Sequence, residues 1–152
     1  MSGSIPASTA ELLDNAATHF GDKSFVVDNG RCMSFSDLSA DVKALARSLV
    51  AKGFRHGDRA AIWAPNCAEW IIAALAIQYV GGTLVTVNTR YKASEARDII
   101  SDSGSSVAFV VDKFLNVDYA ESLAALTIDG LEHIVTIKAP NSSDRDGISE
   151  WI

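Results

Sequence analysis

The sequence predicts an α/β fold built on a largely parallel sheet. Three observations carry that prediction. Apolar, β-rich segments begin at Arg59, Thr83, Ser106 and His133, about 24 residues apart. Helical patterns lie between them, and a tight-turn signal, Asn29-Gly30, stands apart near the N-terminus. Strands alternating with helices at such spacing imply right-handed βαβ units.

The first element is a helix over Thr9–Phe20, where Ser8 and Glu11 have the spacing of a capping box. In "SFVVDNGRCMS" the Asn29-Gly30 pair separates two short apolar segments, and both residues tolerate the positive φ of a type I′ hairpin turn. The next stretch, "SFSDLSADVKALARSLVAKG", reads as an amphipathic helix with Leu38, Val42, Leu45 and Leu49 on one face. Ser34 and Asp37 form its capping box and Gly53 its C-cap. "RAAIWA" then opens the main sheet. A helix follows from Asn66, preceded by Pro65 and with Glu69 three residues on. Strand "TLVTVN", a helix from about Ala93 to Ser103, strand "SVAFVVD", a weaker helix from Tyr119 to Leu126 and strand "HIVTI" complete the pattern. The polar run "APNSSDRDG", Ala139 to Gly147, reads as a linker or loop.

A length of 152 residues suits one domain, and 48% hydrophobic content permits a sizeable core. The formal net charge of -6 leaves no broad basic surface for a nucleic-acid backbone, so that partner class is excluded. Cys32 and Cys67 have no Cys or His at metal-ligand spacing, which argues against zinc and disulfide frameworks and for a reducing cytoplasm. The N-terminus "MSGSIPASTAELL" lacks a basic segment followed by an apolar block. "AEWIIAALAIQYVGG" carries a glutamate and is too short to span a bilayer, so no transmembrane segment is expected.

The double glycine Gly81-Gly82 invites comparison with a phosphate loop. Such a loop runs from strand into helix, so that N-terminal amides face the anion, whereas this pair runs from helix into strand. A left-handed cap with close helix-to-sheet packing is the expected role. The tetrad Asn88-Thr89-Arg90-Tyr91 lies just beyond the carboxyl end of a parallel strand, the edge where α/β sheets place ligands. Arg90 can hold a phosphate or carboxylate there; the alternative is that Asn88 and Thr89 cap a turn while Arg90 pairs with Glu95. Trp63 and Trp70 are expected in packing. Cys67 lies where a helix N-terminus can lower a thiol pKa, but no base accompanies it, and a structural thiol is expected. His19, His56 and His133 are isolated from one another, and Asp144 and Asp146 sit in the polar run. No catalytic constellation and no metal site is assembled.

"MSFSDL" (Met33 to Leu38), "GDRAAIWAPNCAEWIIAALA", "GGTLVTVNTRY" and "EARDIISDSGSSVAFVVD" resemble, in order and spacing, the start of the adenylate-forming, AMP-binding acyl-CoA synthetases of fatty-acid ligase type. The resemblance covers about residues 8 to 137. "AIWAPN", "LAIQ", "VNTRYKASEARDI" and "FLNVDYA" lean toward the actinobacterial ligases that activate propanoate side chains in steroid-ring degradation. Medium- and long-chain fatty acid ligases share the same front half.

The resemblance implies a carboxylic acid substrate, ATP, CoA and magnesium. An acyl adenylate forms with release of pyrophosphate, and CoA then displaces AMP. In some of these ligases the arginine of "N-x-R" faces the CoA nucleotide; here that residue is Arg90. The family's S-G-T-T-G-x-P-K-G phosphate loop, T-G-D aspartate and C-terminal lysine have no counterpart in this sequence. Residues 1 to 152 are therefore expected to be the N-terminal portion of the AMP-binding domain. Such a portion should be inactive by itself, with no cofactor bound productively, and should self-associate, as a homodimer for instance, through exposed apolar faces. The rival expectation is a self-contained, non-catalytic α/β binding or interaction module.

Overall fold

The computed structural model describes residues 6–138 in full and the backbone alone of Ile148–Trp151. The polar run Ala139 to Gly147, with Asp144 and Asp146, lies outside the described residues. In chain order the elements are α1 (Thr9–Phe20), β1 (Ser24–Asp28), β2 (Arg31–Ser34), α2 (Phe35–Ala51), β3 (Arg59–Trp63), α3 (Ala68–Tyr79) and β4 (Thr83–Thr86). There follow α4 (Ala93–Ser103), β5 (Val107–Val111), β6 (Lys113–Phe114), β7 (Val117–Asp118), α5 (Tyr119–Ala124), β8 (His133–Ile137) and β9 (Ile148–Trp151).

The fold is α/β, as the spacing predicts. The main sheet runs β4-β3-β5-β8-β9, with the first four strands parallel and β9 antiparallel at the far edge. The register sets Ile62 between Thr86 and Phe109, and Phe109 beside Val135. β5 is buried at every position, which is why "VAFVV" shows no alternation: helices cover a central parallel strand on both faces. One crossover runs outward from β3 to β4 and the next returns past β3 to β5, so the right-handed rule puts α3 and α4 on opposite faces. α3 packs with α2 and α1, and α4 packs with α5.

Several local expectations hold. Asn29 and Gly30 take φ 47° and 79° in the two-residue turn between β1 and β2. The Ser34/Asp37 capping box is complete, and Leu38, Val42, Leu45 and Leu49 are all buried. The Asp37 carboxyl is held below its ordinary pKa, first by the Ser34 hydroxyl and then by the Ser34 amide. Gly81, at φ 86°, ends α3 in the left-handed region, and a Cβ on Gly82 would meet the buried Phe54 ring at 2.5 Å. The double glycine is thus a helix stop pressed against the segment before β3, not an anion loop.

Other expectations need correction. Ser8 caps α1, but the Glu11 carboxylate reaches back to the amide of Ala7 (2.8 Å), one residue beyond the box position. Lys52 is the C-cap of α2, and Gly53 follows it at φ 96°. β4 ends at Thr86, two residues before Asn88, and α5 ends at Ala124, not Leu126. α3 begins at Ala68, not Asn66. Its cap is Cys67, whose Sγ lies 3.4 Å from the amide of Trp70, while Asp28 of the distant hairpin accepts from the Ala68 amide at 3.0 Å. Arg31 of the same hairpin contacts Glu69 at 3.3 Å, so the hairpin braces the helix start twice.

Two elements go beyond the sequence reading, the β6–β7 hairpin and strand β9. The hairpin turn is Leu115-Asn116, both with positive φ, and leucine gives no signal for such a turn. The all-round apolarity of α3 finds its explanation inside this chain, since the sheet lies on one side and α2 and α1 on the other.

Candidate functional site

Two loops leave the carboxyl edge of the sheet side by side. Between Ala64-Pro65-Asn66 after β3 and the Thr86–Thr89 segment after β4 lies an open groove of about 560 Å³. Tyr91, Trp70 of α3 and Ile99 of α4 complete its walls. Asn66 and Asn88 contribute exposed carboxamides, and Trp70 and Tyr91 contribute partly exposed rings. Amides beside aromatic faces suit a planar, polar ligand.

The turn that carries Arg90 is built by its own residues. The Asn88 side chain accepts from the Arg90 amide at 2.9 Å, as asparagine does when it initiates a turn, and the Tyr91 amide donates to the Asn88 carbonyl at 3.0 Å. Arg90 itself is exposed and stands in sequence between two lining residues, Thr89 and Tyr91, without lining the groove. The pairing with Glu95 weighed from the sequence does not form. Glu95 instead accepts from the Lys92 amide at 2.8 Å, closing the first turn of α4, and among the described residues no acid stands within ion-pair distance of the Arg90 guanidinium. An exposed guanidinium with no acid opposed to it among the described residues can take a phosphate.

Cys67 lies near the groove's other loop, yet it is not activated. Burial pushes its thiol from 9.0 up to about 11, outweighing the hydrogen bond from the Trp70 amide that acts the other way. A helix N-terminus can lower a thiol pKa, but Cys67 is almost fully covered there and is the structural thiol expected from the sequence. At pH 7 to 8, a disulfide exchange reagent should therefore titrate the exposed Cys32 promptly and Cys67 only on unfolding. The sign for stability follows. A thiol that stays protonated to about 11 in the fold, but only to 9.0 in the open chain, favours the fold below pH 9, and that contribution is lost as pH rises toward 11. Thiol titration with and without denaturant checks the first statement, and alkaline unfolding of Cys67→Ala checks the second.

Trp63 is a core residue, as expected, and Trp70 is partly buried and lines the groove. Of the histidines, His56 lies against Gly81, and His19 packs edge-on against the Phe20 ring. Among the described residues no group of three or more His, Cys, Asp or Glu side chains is arranged to hold a metal ion, and no helix is long and apolar enough to cross a membrane.

The "AMP-binding enzyme" family model matches residues 13–150. A Rhodococcus jostii protein named "3-[(3aS,4S,7aS)-7a-methyl-1,5-dioxo-octahydro-1H-inden-4-yl]propanoyl:CoA ligase" is 39% identical over 118 residues, covering 78% of this chain and 23% of the relative. A Mycobacterium tuberculosis protein of the same name is 34% identical over 140 residues, covering 92% of this chain and 27% of the relative. Among solved structures, an anthranilate CoA ligase in complex with anthranoyl-AMP superimposes with a TM-score of 0.77 at 26% identity, over 88% of this chain and 26% of that one. The chain thus spans about a quarter of the length of the relatives it matches.

Proposed function

Because this chain belongs to the AMP-binding enzyme family, we propose that it is the N-terminal portion of the AMP-binding domain of an ATP-dependent acyl-CoA synthetase, converting a carboxylic acid, ATP and CoA to acyl-CoA, AMP and pyrophosphate. The match across residues 13–150 carries this reading. The names of the two ligase relatives support a steroid-ring-derived propanoate as the acid, with a medium- or long-chain fatty acid as the other candidate.

Within this portion, Arg90 is the residue assigned to CoA. Its guanidinium is unopposed among the described residues and stands on a turn fixed by Asn88. CoA carries phosphates for the cation and an adenine for the carboxamide and aromatic walls. ATP has no comparable cradle here, because the glycine-rich loop that would wrap its phosphates has no counterpart in the sequence. ATP and magnesium are accordingly assigned to chain beyond these residues, and a cytoplasmic site of action fits two free thiols.

Turnover decides the matter. The complete product of the gene, its intact mass first established, should release pyrophosphate when given ATP, CoA and a steroid-derived propanoate, more slowly with fatty acids. The purified 152-residue chain should release none. Pyrophosphate release by that chain, dependent on ATP, acid and CoA, would overturn the assignment of the phosphate chemistry elsewhere; no turnover by the complete product with any of these acids would overturn the ligase reading and favour the non-catalytic module.

A further inference from the structure

We propose that Trp63 and Tyr119 are positioning residues that hold the Asn88–Tyr91 turn from beneath, so that Arg90 is presented to the CoA phosphate; the proposal rests on the reading of Arg90 given above.

The argument begins with topology. The chain places β4 on one side of β3 and then β5 on the other, so the order reverses between β3 and β5. The crevice at the carboxyl ends of two such strands is where open α/β sheets usually admit a ligand. Here the protein's own aromatics occupy that place. Trp63 ends β3 and Tyr119 opens the short helix after β5; they are 1% and 5% exposed, and their rings meet edge to face with centroids 4.6 Å apart. The ligand-accessible groove is displaced by one strand, to the loops after β3 and β4.

Both aromatics turn their polar atoms on the same loop. The Trp63 indole Nε1–H donates to the Asn88 carbonyl at 3.1 Å, and the Tyr119 hydroxyl donates to the next carbonyl, Thr89, at 2.8 Å. A buried indole or phenol needs a partner, and here each need is met by a main-chain oxygen. These two carbonyls belong to the peptide units that lead into Arg90. Fixing both planes fixes the direction in which the Arg90 side chain leaves the backbone, while the Asn88 side chain holds the Arg90 amide. The guanidinium is long, exposed and without an ion-pair partner among the described residues, so the anchored backbone is what limits the freedom it loses on binding a phosphate. Tyr119 lies 30 residues beyond Thr89 and is reached through the β6–β7 hairpin, whose Phe114 ring stands 6.4 Å from it.

Tyr119→Phe tests this, because it deletes the hydroxyl and keeps the ring. On the complete gene product the KM for CoA should rise about 3- to 10-fold, as expected for loss of one buried hydrogen bond, while the KM for ATP and kcat at saturating CoA stay within about twofold. Val42→Ala, a buried change on α2, supplies a loss of stability without touching the turn and should leave the KM for CoA unchanged. In the complete product, the amides of Arg90 and Tyr91 should exchange with solvent about fivefold faster in Tyr119→Phe, and those of Ile62 and Phe109 should not. If Arg90→Ala raises the KM for CoA but Tyr119→Phe moves neither that KM nor the exchange, the positioning role is overturned and the reading of Arg90 stands. If Arg90→Ala has no effect on the KM for CoA, that reading falls and the proposal falls with it. Equal increases in the KM for CoA and for ATP, in Tyr119→Phe and Val42→Ala alike, would reduce Tyr119 to a general stabiliser and overturn the proposal.

Discussion

Replacing Trp63 by alanine should lower the stability of the 152-residue chain by about 3–5 kcal/mol, the range for removing a large aromatic from a packed core. Trp63 is among the largest fully buried side chains, at the carboxyl end of a strand flanked by β4 and β5. Three contributions vanish together: the apolar burial, the edge-to-face contact with Tyr119, and the indole donor of the Asn88 carbonyl. A loss of that size is a large fraction of the stability of an ordinary domain, about 5–15 kcal/mol. Trp63→Phe keeps most of the ring and should cost about 1–2 kcal/mol. Urea unfolding followed by far-ultraviolet circular dichroism measures both. A cost below about 1 kcal/mol for the alanine variant would show that neighbouring groups fill the site and that Trp63 does not anchor the edge.

The sheet was legible because its signals are periodic. Strands at Arg59, Thr83, Val107 and His133 and helices over Thr9–Phe20 and Ala93–Ser103 lie where alternation and capping place them. What the sequence did not disclose depends on contacts across many residues. The start of α3 moved from Asn66 to Ala68 because Asp28, 40 positions away, accepts from the Ala68 amide, leaving Cys67 as the cap. Cys67 is the structural thiol expected from the absence of a base, but the reason for its raised pKa is visible only in the fold, which buries it at the helix N-terminus. The β6–β7 hairpin was invisible because its strands have two residues each and only one of its two turn positions, Asn116, carries a residue that favours positive φ, the other being Leu115.

The candidate site divides in the same way. Arg90 could be singled out from its position after a parallel strand, but its freedom from Glu95 could not, because Glu95 chooses between a guanidinium and the amide of Lys92 only in three dimensions. Trp63 and Tyr119 read as ordinary core and helix residues in the sequence. A signal was available for one of them: a tryptophan ending a central strand must find an acceptor for its indole nitrogen, and here the Asn88 carbonyl of the neighbouring loop accepts from it as well as from the Tyr91 amide.

Reversing the charge at that loop should have the largest functional effect. If Arg90 meets a CoA phosphate, Arg90→Ala removes a charge-assisted contact and should raise the KM for CoA by about 10- to 100-fold in the complete ligase, in line with about 1.5–3 kcal/mol for such a bond. Arg90→Glu adds repulsion between two negative groups and should reach about 100-fold or more. Arg90→Lys keeps the charge but not the planar fork, and should lie between alanine and the native enzyme. Because Arg90 is exposed and has no ion-pair partner among the described residues, none of the three should shift unfolding by more than about 0.5 kcal/mol. The KM for ATP should not follow, and raising the salt concentration should weaken CoA binding less in Arg90→Ala than in the native protein, since one screened attraction is gone. A CoA analogue without the ribose phosphate separates that phosphate from the pyrophosphate bridge. If the native enzyme already binds that analogue as weakly as Arg90→Ala binds CoA, and the variant binds the two alike, the ribose phosphate is the group Arg90 holds. If all three variants leave the KM for CoA unchanged, the arginine is a solvated surface residue and the CoA site lies elsewhere in the protein.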